Sequence, residues 1–208
     1  GKGSKYRGLI FLDELCNKLY TTEDFLKRLR ELRVELIDTE KEVKKLNYED
    51  DSTSIHRVLL AMNVFDIVTD SNKKAKKEIR FDYYSFNAEA WTLEHIFPQS
   101  PEGKGKTLTK EQRGIVLNML GGEKATEDIK LTLEKEERSN EEKEKYYKAL
   151  TSIGELNSIG NMALLTNFDN ISNGCDMFKE KRKNILKFIQ NGSFVPKHTF
   201  EVFSKMII

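Results

Sequence analysis

Apolar residues return every three or four positions early in the chain, as on one face of a helix. The residues of this stripe are Phe25, Leu29, Leu32 and Leu36. Thr22 stands before the stripe as a candidate N-cap, and two acidic residues follow it, where negative charge suits the helix dipole. The pattern predicts a long helix from Thr22 and a second helix over about 53–68.

Apolar residues alternate with polar ones, or cluster in short runs, at three places farther along the chain. The alternation predicts extended segments at 79–84 and 91–97, and the short apolar run Met162–Thr166 predicts another strand. Residues 101–155 are typical of a helical insertion, and the part from Ala125 to Ser152 is charge-dense. A last amphipathic helix is predicted over 176–190.

The order of these elements predicts an α+β protein that is predominantly helical. A polar and basic stretch at 70–77 is typical of a linker or an exposed loop. We therefore expect a helical N-terminal region at 1–75 and a second domain at 76–208, which contains the helical insertion at about 101–155.

Composition limits the class of protein. The chain has 208 residues, with 35 Lys plus Arg against 34 Asp plus Glu, so the net charge is +1 and any basic surface must be local. Two cysteines do not suffice for a disulfide scaffold or a four-cysteine zinc site. No run of about 18 apolar residues occurs, and nothing resembles a signal peptide. We expect a cytoplasmic protein with no membrane-spanning segment.

An acidic residue and a histidine stand side by side in the segment 93–99, which reads LEHIFPQ. Neutral histidine is a good general base near neutral pH, and a carboxylate is a hard ligand that suits Mg²⁺ or Mn²⁺. Adjacent strand residues point to opposite faces, so Glu94 and His95 share one metal site only if the strand twists or ends there. Pro98 is a natural end for the strand. Taken alone, such a pair is more often structural than catalytic.

Asparagines and a basic helix mark a second segment. Asn161 precedes the strand Met162–Thr166, Asn170 follows nine residues after Asn161, and Asn173 lies beyond it. An asparagine side chain offers a carbonyl oxygen as a ligand and an amide that orients a neighbour, although Asn170 and Asn173 also suit a loop or a helix cap. The helix predicted over 176–190 is rich in basic residues, which suit contacts with phosphate groups. The competing interpretation is that these residues only form a solvated face of the helix. Its cations are Lys179, Lys181, Arg182, Lys183 and Lys187.

The two segments together resemble a known family. An acid–His pair in an extended segment, a Gly-Asn strand and an asparagine nine residues past the first one look like the ββα-metal fold of HNH nucleases. The fuller pattern LEHI.PQ … IGN..LL….N..N….F..KR is similar to the C-terminal HNH domain of the GmrSD-like family of modification-dependent restriction and anti-phage proteins. In that family the domain usually follows an N-terminal ParB/sulfiredoxin-like NTPase domain. The resemblance covers about 79–182 well and the N-terminal helices loosely.

The resemblance implies a role for each matching residue. His95 would be the general base that activates water, and Glu94 and Asn170 would be metal ligands. Asn161 would orient His95 or the scissile phosphate, and Asn173 would be a supporting polar contact or a structural cap. Two oxygen ligands favour Mg²⁺ or Mn²⁺. The cations that would hold the DNA backbone are Lys179, Lys181, Arg182 and Lys183.

The resemblance therefore implies a metal-dependent DNA endonuclease domain of a restriction or phage-defence protein, which acts with an NTPase-like domain or subunit. One alternative is a catalytically degenerate nucleic-acid-binding or regulatory module of such a protein. Another is an HNH nuclease that acts on RNA. A purely structural helical domain is the remaining alternative, and it would bind neither metal nor DNA.

Overall fold

The computed structural model of the chain describes residues 17, 21–37, 42–64, 82–88, 90–166 and 174–205. The chain divides into two compact units, Gly1–Asp38 and Thr39–Ile208. The predicted boundary between residues 75 and 76 lies outside the described residues, and it stays a prediction.

In the first unit, the apolar stripe belongs to a helix, as predicted. Helix α1 spans Thr22–Ile37, with Glu23 and Asp24 in its first turn. The cap lies one residue before the predicted position, because the hydroxyl of Thr21 accepts a hydrogen bond from the backbone N–H of Asp24 at 3.1 Å.

The second unit contains helices and one small antiparallel sheet, so the expected α+β class with a helical majority is confirmed. Its elements in chain order are α2 Tyr48–Val64, α3 Tyr83–Ala88, β1 Trp91–His95, α4 Lys110–Lys124, α5 Glu127–Glu134, α6 Asn140–Thr151, β2 Met162–Thr166, α7 Phe178–Gln190 and α8 Lys197–Ser204.

The sheet joins the two segments that the sequence analysis singled out. Strands β1 and β2 pair antiparallel, with His95 opposite Met162, and every residue of β2 is buried. The strand predicted at Met162–Thr166 is confirmed with the same bounds. Strand β1 ends two residues before its predicted end, and the chain leaves it with the backbone N–H of Ile96 bonded to the carbonyl of Asn161 at 2.8 Å.

The two faces of the sheet have different neighbours. On one face, Ala163 and Leu165 form a core with Ile185 of α7 and Phe203 of α8. Glu94 lies opposite Ala163 in the register and therefore on this same face. The other face is turned towards α2, which contacts both strands. Side chains alternate along a strand, so the two residues of the acid–His pair lie on opposite faces of the sheet.

The extended segment predicted at 79–84 is wrong at its described end, because Tyr83 and Tyr84 lie in helix α3. The carboxylate of Asp82 accepts a hydrogen bond from the backbone N–H of Ser85 at 3.0 Å and so caps this helix. The helix cap at Asp82 stabilises a helix here more than a few alternating apolar and polar residues favour a strand. The rest of the segment, 79–81, lies outside the described residues.

Two helices begin at other residues than predicted. Helix α2 begins five residues before the expected start at 53, because the side chain of Asn47 accepts a hydrogen bond from the backbone N–H of Glu49 at 2.9 Å. Helix α7 begins at Phe178 rather than at 176, and Gly192 beyond its end has a φ of 82°, which favours glycine. The earlier start of α2 places residues 48–52 on the helix, and these residues reach the site described below.

The helical insertion predicted at 101–155 is confirmed as helices α4, α5 and α6. Helices α4 and α6 each begin with a capping box, built on Thr109 with Gln112 and on Ser139 with Glu142. The three helices pack around one hydrophobic core, which Leu156 and Met177 join from outside the insertion. Its most buried members include Val116, Leu120, Leu133, Tyr146 and Leu150.

A buried ion pair lies beside the core of the insertion. The guanidinium of Arg138 donates two hydrogen bonds to the carboxylate of Glu102, at 2.7 and 2.6 Å, and both side chains are at most 1% exposed. The hydroxyl of Tyr146 donates to the same carboxylate at 2.8 Å. These donors hold the pKa of Glu102 below its usual range against the opposing effect of burial. The pair therefore joins the start of the insertion to the loop before α6.

We predict that Arg138→Met destabilises the protein by about 3–5 kcal/mol, because it leaves the Glu102 carboxylate buried without its cation. Chemical denaturation measures this change. Lys148→Met, at an exposed lysine of α6, is the matched control and should change the free energy of unfolding by less than about 0.5 kcal/mol. The double variant Glu102→Leu/Arg138→Met should be more stable than Arg138→Met alone. Equal stability of Arg138→Met and the control would contradict a structural role for the pair.

Candidate functional site

The candidate site is built around the end of β1, where the acid–His pair lies. Glu94 is directed to the α7 side of the sheet and His95 to the α2 side, as the alternation of strand residues requires. The surroundings of the two side chains therefore differ.

Glu94 is buried on the α7 side, with 5% of its surface exposed. Its carboxylate forms an ion pair with the ammonium of Lys181, which is completely buried, and the same ammonium donates a hydrogen bond to the backbone carbonyl of His95. Burial raises the pKa of Glu94 and lowers that of Lys181, and the charge of each partner opposes the shift of the other. A lysine of α7 thus fixes both the acid and the main chain of the pair.

Lys181 is therefore not at the surface where a DNA-binding residue was expected. Every third or fourth residue of an amphipathic helix faces the core, and Lys181 shares that face with Ile185. A phosphate contact at Lys181 would need the ammonium to leave Glu94. In the described part of the chain, Lys181 has a positioning role.

His95 is half-buried on the α2 side. Its ring contacts the ring of Tyr48 edge to face, with 4.7 Å between centroids, and its Nε2 lies 3.1 Å from the side-chain oxygen of Asn157. Burial lowers the pKa of His95, the hydrogen bond that Nε2 donates to Asn157 opposes this shift, and the charge of Lys181 adds to it. The imidazole is accordingly neutral near pH 7, the form that can accept a proton.

Asn157 determines which nitrogen of His95 carries the proton. Its amide nitrogen donates to the carboxylate of Glu49 at 3.0 Å, so its oxygen must be the atom that faces His95. That oxygen also accepts a hydrogen bond from Gln99 at 2.7 Å. An oxygen acceptor requires Nε2 of His95 to be protonated, which leaves Nδ1 with the free electron pair.

Sequence reasoning missed Asn157 and Glu49. The two residues lie 108 positions apart in the chain, and neither stands in a recognisable motif. Asn157 is 3% exposed, and the backbone N–H of Tyr48 donates to its carbonyl at 2.7 Å. The contact between the N-terminal turn of α2 and the segment before β2 is therefore what brings Glu49 to the site.

Asn161 holds the chain that follows β1. Its side-chain oxygen accepts a hydrogen bond from the backbone N–H of Phe97 at 2.7 Å, and its amide donates to the carbonyls of Phe97 at 3.0 Å and Leu156 at 2.8 Å. These bonds use both amide hydrogens. Asn161 thus acts on the main chain two residues after His95, and in this arrangement it does not touch the imidazole.

The remaining predicted cations lie away from His95. Lys179 and Lys183 are exposed, and Arg182 is half-buried with its Nε donating to the carbonyl of Phe203 at 2.9 Å. Lys179 and Lys183 are four residues apart, so they share a stripe on α7 that points away from Lys181 and the sheet. The sheet therefore separates this stripe from the imidazole. Asn170 and Asn173 lie outside the described residues.

The described residues alone do not fit a divalent metal ion. They contain no group of three His, Cys, Asp or Glu side chains that could hold one. The carboxylate of Glu94 faces the ammonium of Lys181, which already neutralises it. Asn170, the other expected ligand, is outside the described ranges. Metal ligation by Glu94 and Asn170 stays a prediction.

No protein-family model, curated protein or solved structure matches this chain. The resemblance to HNH domains therefore depends on the two short segments given above. Across the described ranges, no helix is long and apolar enough to span a membrane.

We predict that Asn157→Ala changes the order and the tautomer of the His95 ring without unfolding the protein. In the parent chain, nitrogen NMR of the imidazole should show a proton on Nε2 and none on Nδ1. Loss of the Asn157 acceptor should give a mixture of the two tautomers. Asn140→Ala, at an exposed asparagine of α6, is the control and should leave the His95 signals unchanged. A parent spectrum with the proton on Nδ1 would contradict the assignment.

Proposed function

We propose that this chain is an HNH-type DNA endonuclease domain that hydrolyses phosphodiester bonds with His95 as general base. The observation that carries the proposal is the state of the imidazole. It is neutral and half-buried, it stands at the end of a strand, and its Nε2 is engaged by Asn157 so that Nδ1 is the basic atom. A general base needs this combination of a free electron pair and a fixed orientation.

The order of the elements around His95 supports the proposal. Two antiparallel strands come first and second, and helix α7 packs on the sheet after them. This is the strand–strand–helix order that the resemblance implies, with the helical insertion between the strands. The acid–His pair stands on the first strand and Asn161 directly precedes the second, as in the pattern of the two segments.

In the proposed reaction, Nδ1 of His95 takes a proton from water while the water oxygen attacks the phosphorus of the DNA backbone. The bond to the 3′ oxygen breaks, and this oxygen leaves with the bonding electron pair and takes a proton from solvent water, so the products carry a 5′ phosphate and a 3′ hydroxyl. The imidazole becomes positive in this step. The carboxylate of Glu49 accepts a hydrogen bond from the amide of Asn157, and this polarises the Asn157 oxygen that accepts from Nε2. The stronger acceptor favours the positively charged imidazolium.

Glu94 and Lys181 contribute by holding His95 rather than by touching substrate. The ammonium bonds to the carbonyl of His95 and to the carboxylate beside it, which restrains the end of β1. Accurate placement of a base is worth a large part of catalysis, because a shift of about 1 Å can cost roughly a hundredfold in rate. The resemblance implies Mg²⁺ or Mn²⁺ as cofactor, and the nicking assay described below tests for it.

The wider context is part of the same proposal. We infer a cytoplasmic restriction or phage-defence protein in which an NTPase-like domain or subunit controls cleavage. An RNA substrate would need no different chemistry at His95, because the phosphodiester rather than the base is attacked.

A second candidate is a degenerate nucleic-acid-binding module without cleavage. The observation that favours it is the pairing of Glu94 with Lys181, since this carboxylate is then not available to a metal ion. The two candidates differ in one measurable property, which is turnover of a phosphodiester substrate.

We predict that His95→Ala lowers the rate of plasmid nicking by at least about a hundredfold, the usual contribution of a general base. The assay compares Mg²⁺, Mn²⁺ and EDTA, on plain and modified DNA. His198→Ala is the matched control, because His198 is another half-buried histidine that belongs to α8 and not to the site. Circular dichroism of each variant verifies the fold.

Three outcomes decide between the candidates. Nicking that the His95 variant loses and the His198 variant keeps supports the nuclease. Nicking at the parental rate by the His95 variant would show that another group is the base. Binding of DNA by the parent chain with no cleavage of DNA or RNA, in any metal, would favour the degenerate module.

A further inference from the structure

A groove opens between helix α2 and strand β1 on the His95 side of the sheet. Its volume is about 450 Å³. Tyr48, Ser52, Thr53, His56 and Arg57 line it from α2, and Thr92 and Leu93 line it from β1. Its described lining includes hydroxyl groups and a guanidinium but no carboxylate, so the groove suits an anion better than a cation.

The groove and the candidate base share one neighbour. Tyr48 lines the groove and also contacts the ring of His95, which is not itself part of the lining. Leu93 stands two residues before His95 and therefore on the same face of β1. A ligand that fills the groove reaches the same side of the sheet as the imidazole.

Arg57 is the cation among the described residues that line the groove. It is exposed, and it makes no ion pair with any residue in the described ranges. Of the acidic residues in the first turn of α2, Glu49 accepts from Asn157 and Asp51 accepts from the backbone N–H of Asn47, while Asp50 is exposed and does not line the groove. The lysine stripe of α7 lies beyond the sheet and has no access to this groove. Among the described residues that line the groove, Arg57 is therefore the positive charge that a polyanion would meet.

We propose that the groove binds the phosphate backbone of the nucleic acid beside the scissile bond, with Arg57 as its phosphate contact. The proposal rests on the proposed function, since it extends the binding surface of that same site. Tyr48 and Arg57 are nine residues apart on α2, which is roughly 13 Å along a helix axis. The phosphates of one strand of duplex DNA advance by about 3.4 Å each. For a duplex that lies along α2, a phosphate at Arg57 is therefore about four nucleotides from one at Tyr48, the residue that contacts His95.

The position of Arg57 determines what its loss should change. A contact four nucleotides from the scissile bond strengthens binding in the ground state and the transition state alike, so it affects affinity and not the rate at saturation. One phosphate contact contributes roughly one unit to the slope of the logarithm of affinity against the logarithm of salt concentration.

The test measures binding of a fluorescent duplex to the full chain by anisotropy, in EDTA and over a series of KCl concentrations. Arg57→Gln should weaken binding about tenfold and lower the salt slope by about one. Thr53→Glu, which adds a negative charge within the groove, should also weaken binding. Lys148→Gln, at the exposed lysine of α6, is the control of equal charge change and should keep the parental affinity apart from a small non-specific effect.

The outcomes separate this proposal from the proposed nuclease. If Arg57→Gln has the same affinity and salt slope as the Lys148→Gln control, the proposal that the groove binds the phosphate backbone is wrong, whether or not the parent chain cuts DNA. If the parent chain binds DNA through Arg57 but cuts no substrate, the result supports backbone binding in the groove and contradicts the proposed nuclease activity. Displacement of the duplex by an equal concentration of a nucleoside monophosphate would show a pocket for free nucleotides and would also overturn the backbone contact.

Where the parent chain cuts DNA, the same variant gives a second readout. Arg57→Gln should raise KM about tenfold and leave kcat unchanged at saturating DNA. A fall in kcat with unchanged KM would place Arg57 in the chemical step and contradict the distance argued above.

Discussion

The buried ammonium of Lys181 is the constraint on which the site depends. A lysine with no exposed surface is costly to desolvate, and so is a carboxylate that is 5% exposed, unless the two are paired. Their pairing ties α7 to β1, and the bond to the His95 carbonyl extends the tie to the main chain of the proposed base. Removal of either partner would leave a buried charge beside the residue that has to be held most accurately.

The pairing of β1 with β2 brings together segments that a long insertion separates. Closing such a loop costs little more than closing one of half the length, because the entropy grows slowly with length. The helices of the insertion pack around one core, with capping boxes and the Glu102–Arg138 pair, and Leu156 and Met177 join this core from outside the insertion. The insertion is therefore packed onto the segments that flank it, while its length does not prevent the two strands from pairing.

The sequence was informative where local rules govern and uninformative where contacts cross the chain. Strand β2 has the predicted bounds, because an apolar run that is buried on both faces leaves few alternatives. Lys181 was placed at the surface, since a single basic helix gives no sign of which cation turns inward to a carboxylate on another element. The link from Glu49 through Asn157 to His95 was not predicted, because it depends on α2 packing against the segment before β2.

The two faces of the small sheet differ in what they can contact. The α7 face is closed by buried charges and a hydrophobic core, so it can fix positions but admits no large ligand. The α2 face carries the imidazole, the groove and Arg57, so it is the face that the proposed substrate would reach. Helix α2 precedes the segments that resemble HNH domains, yet it supplies Glu49 and Tyr48 to His95. A chain cut before residue 76 would keep the motif residues and lose the contacts of Tyr48 and of the Glu49–Asn157 pair that orient His95.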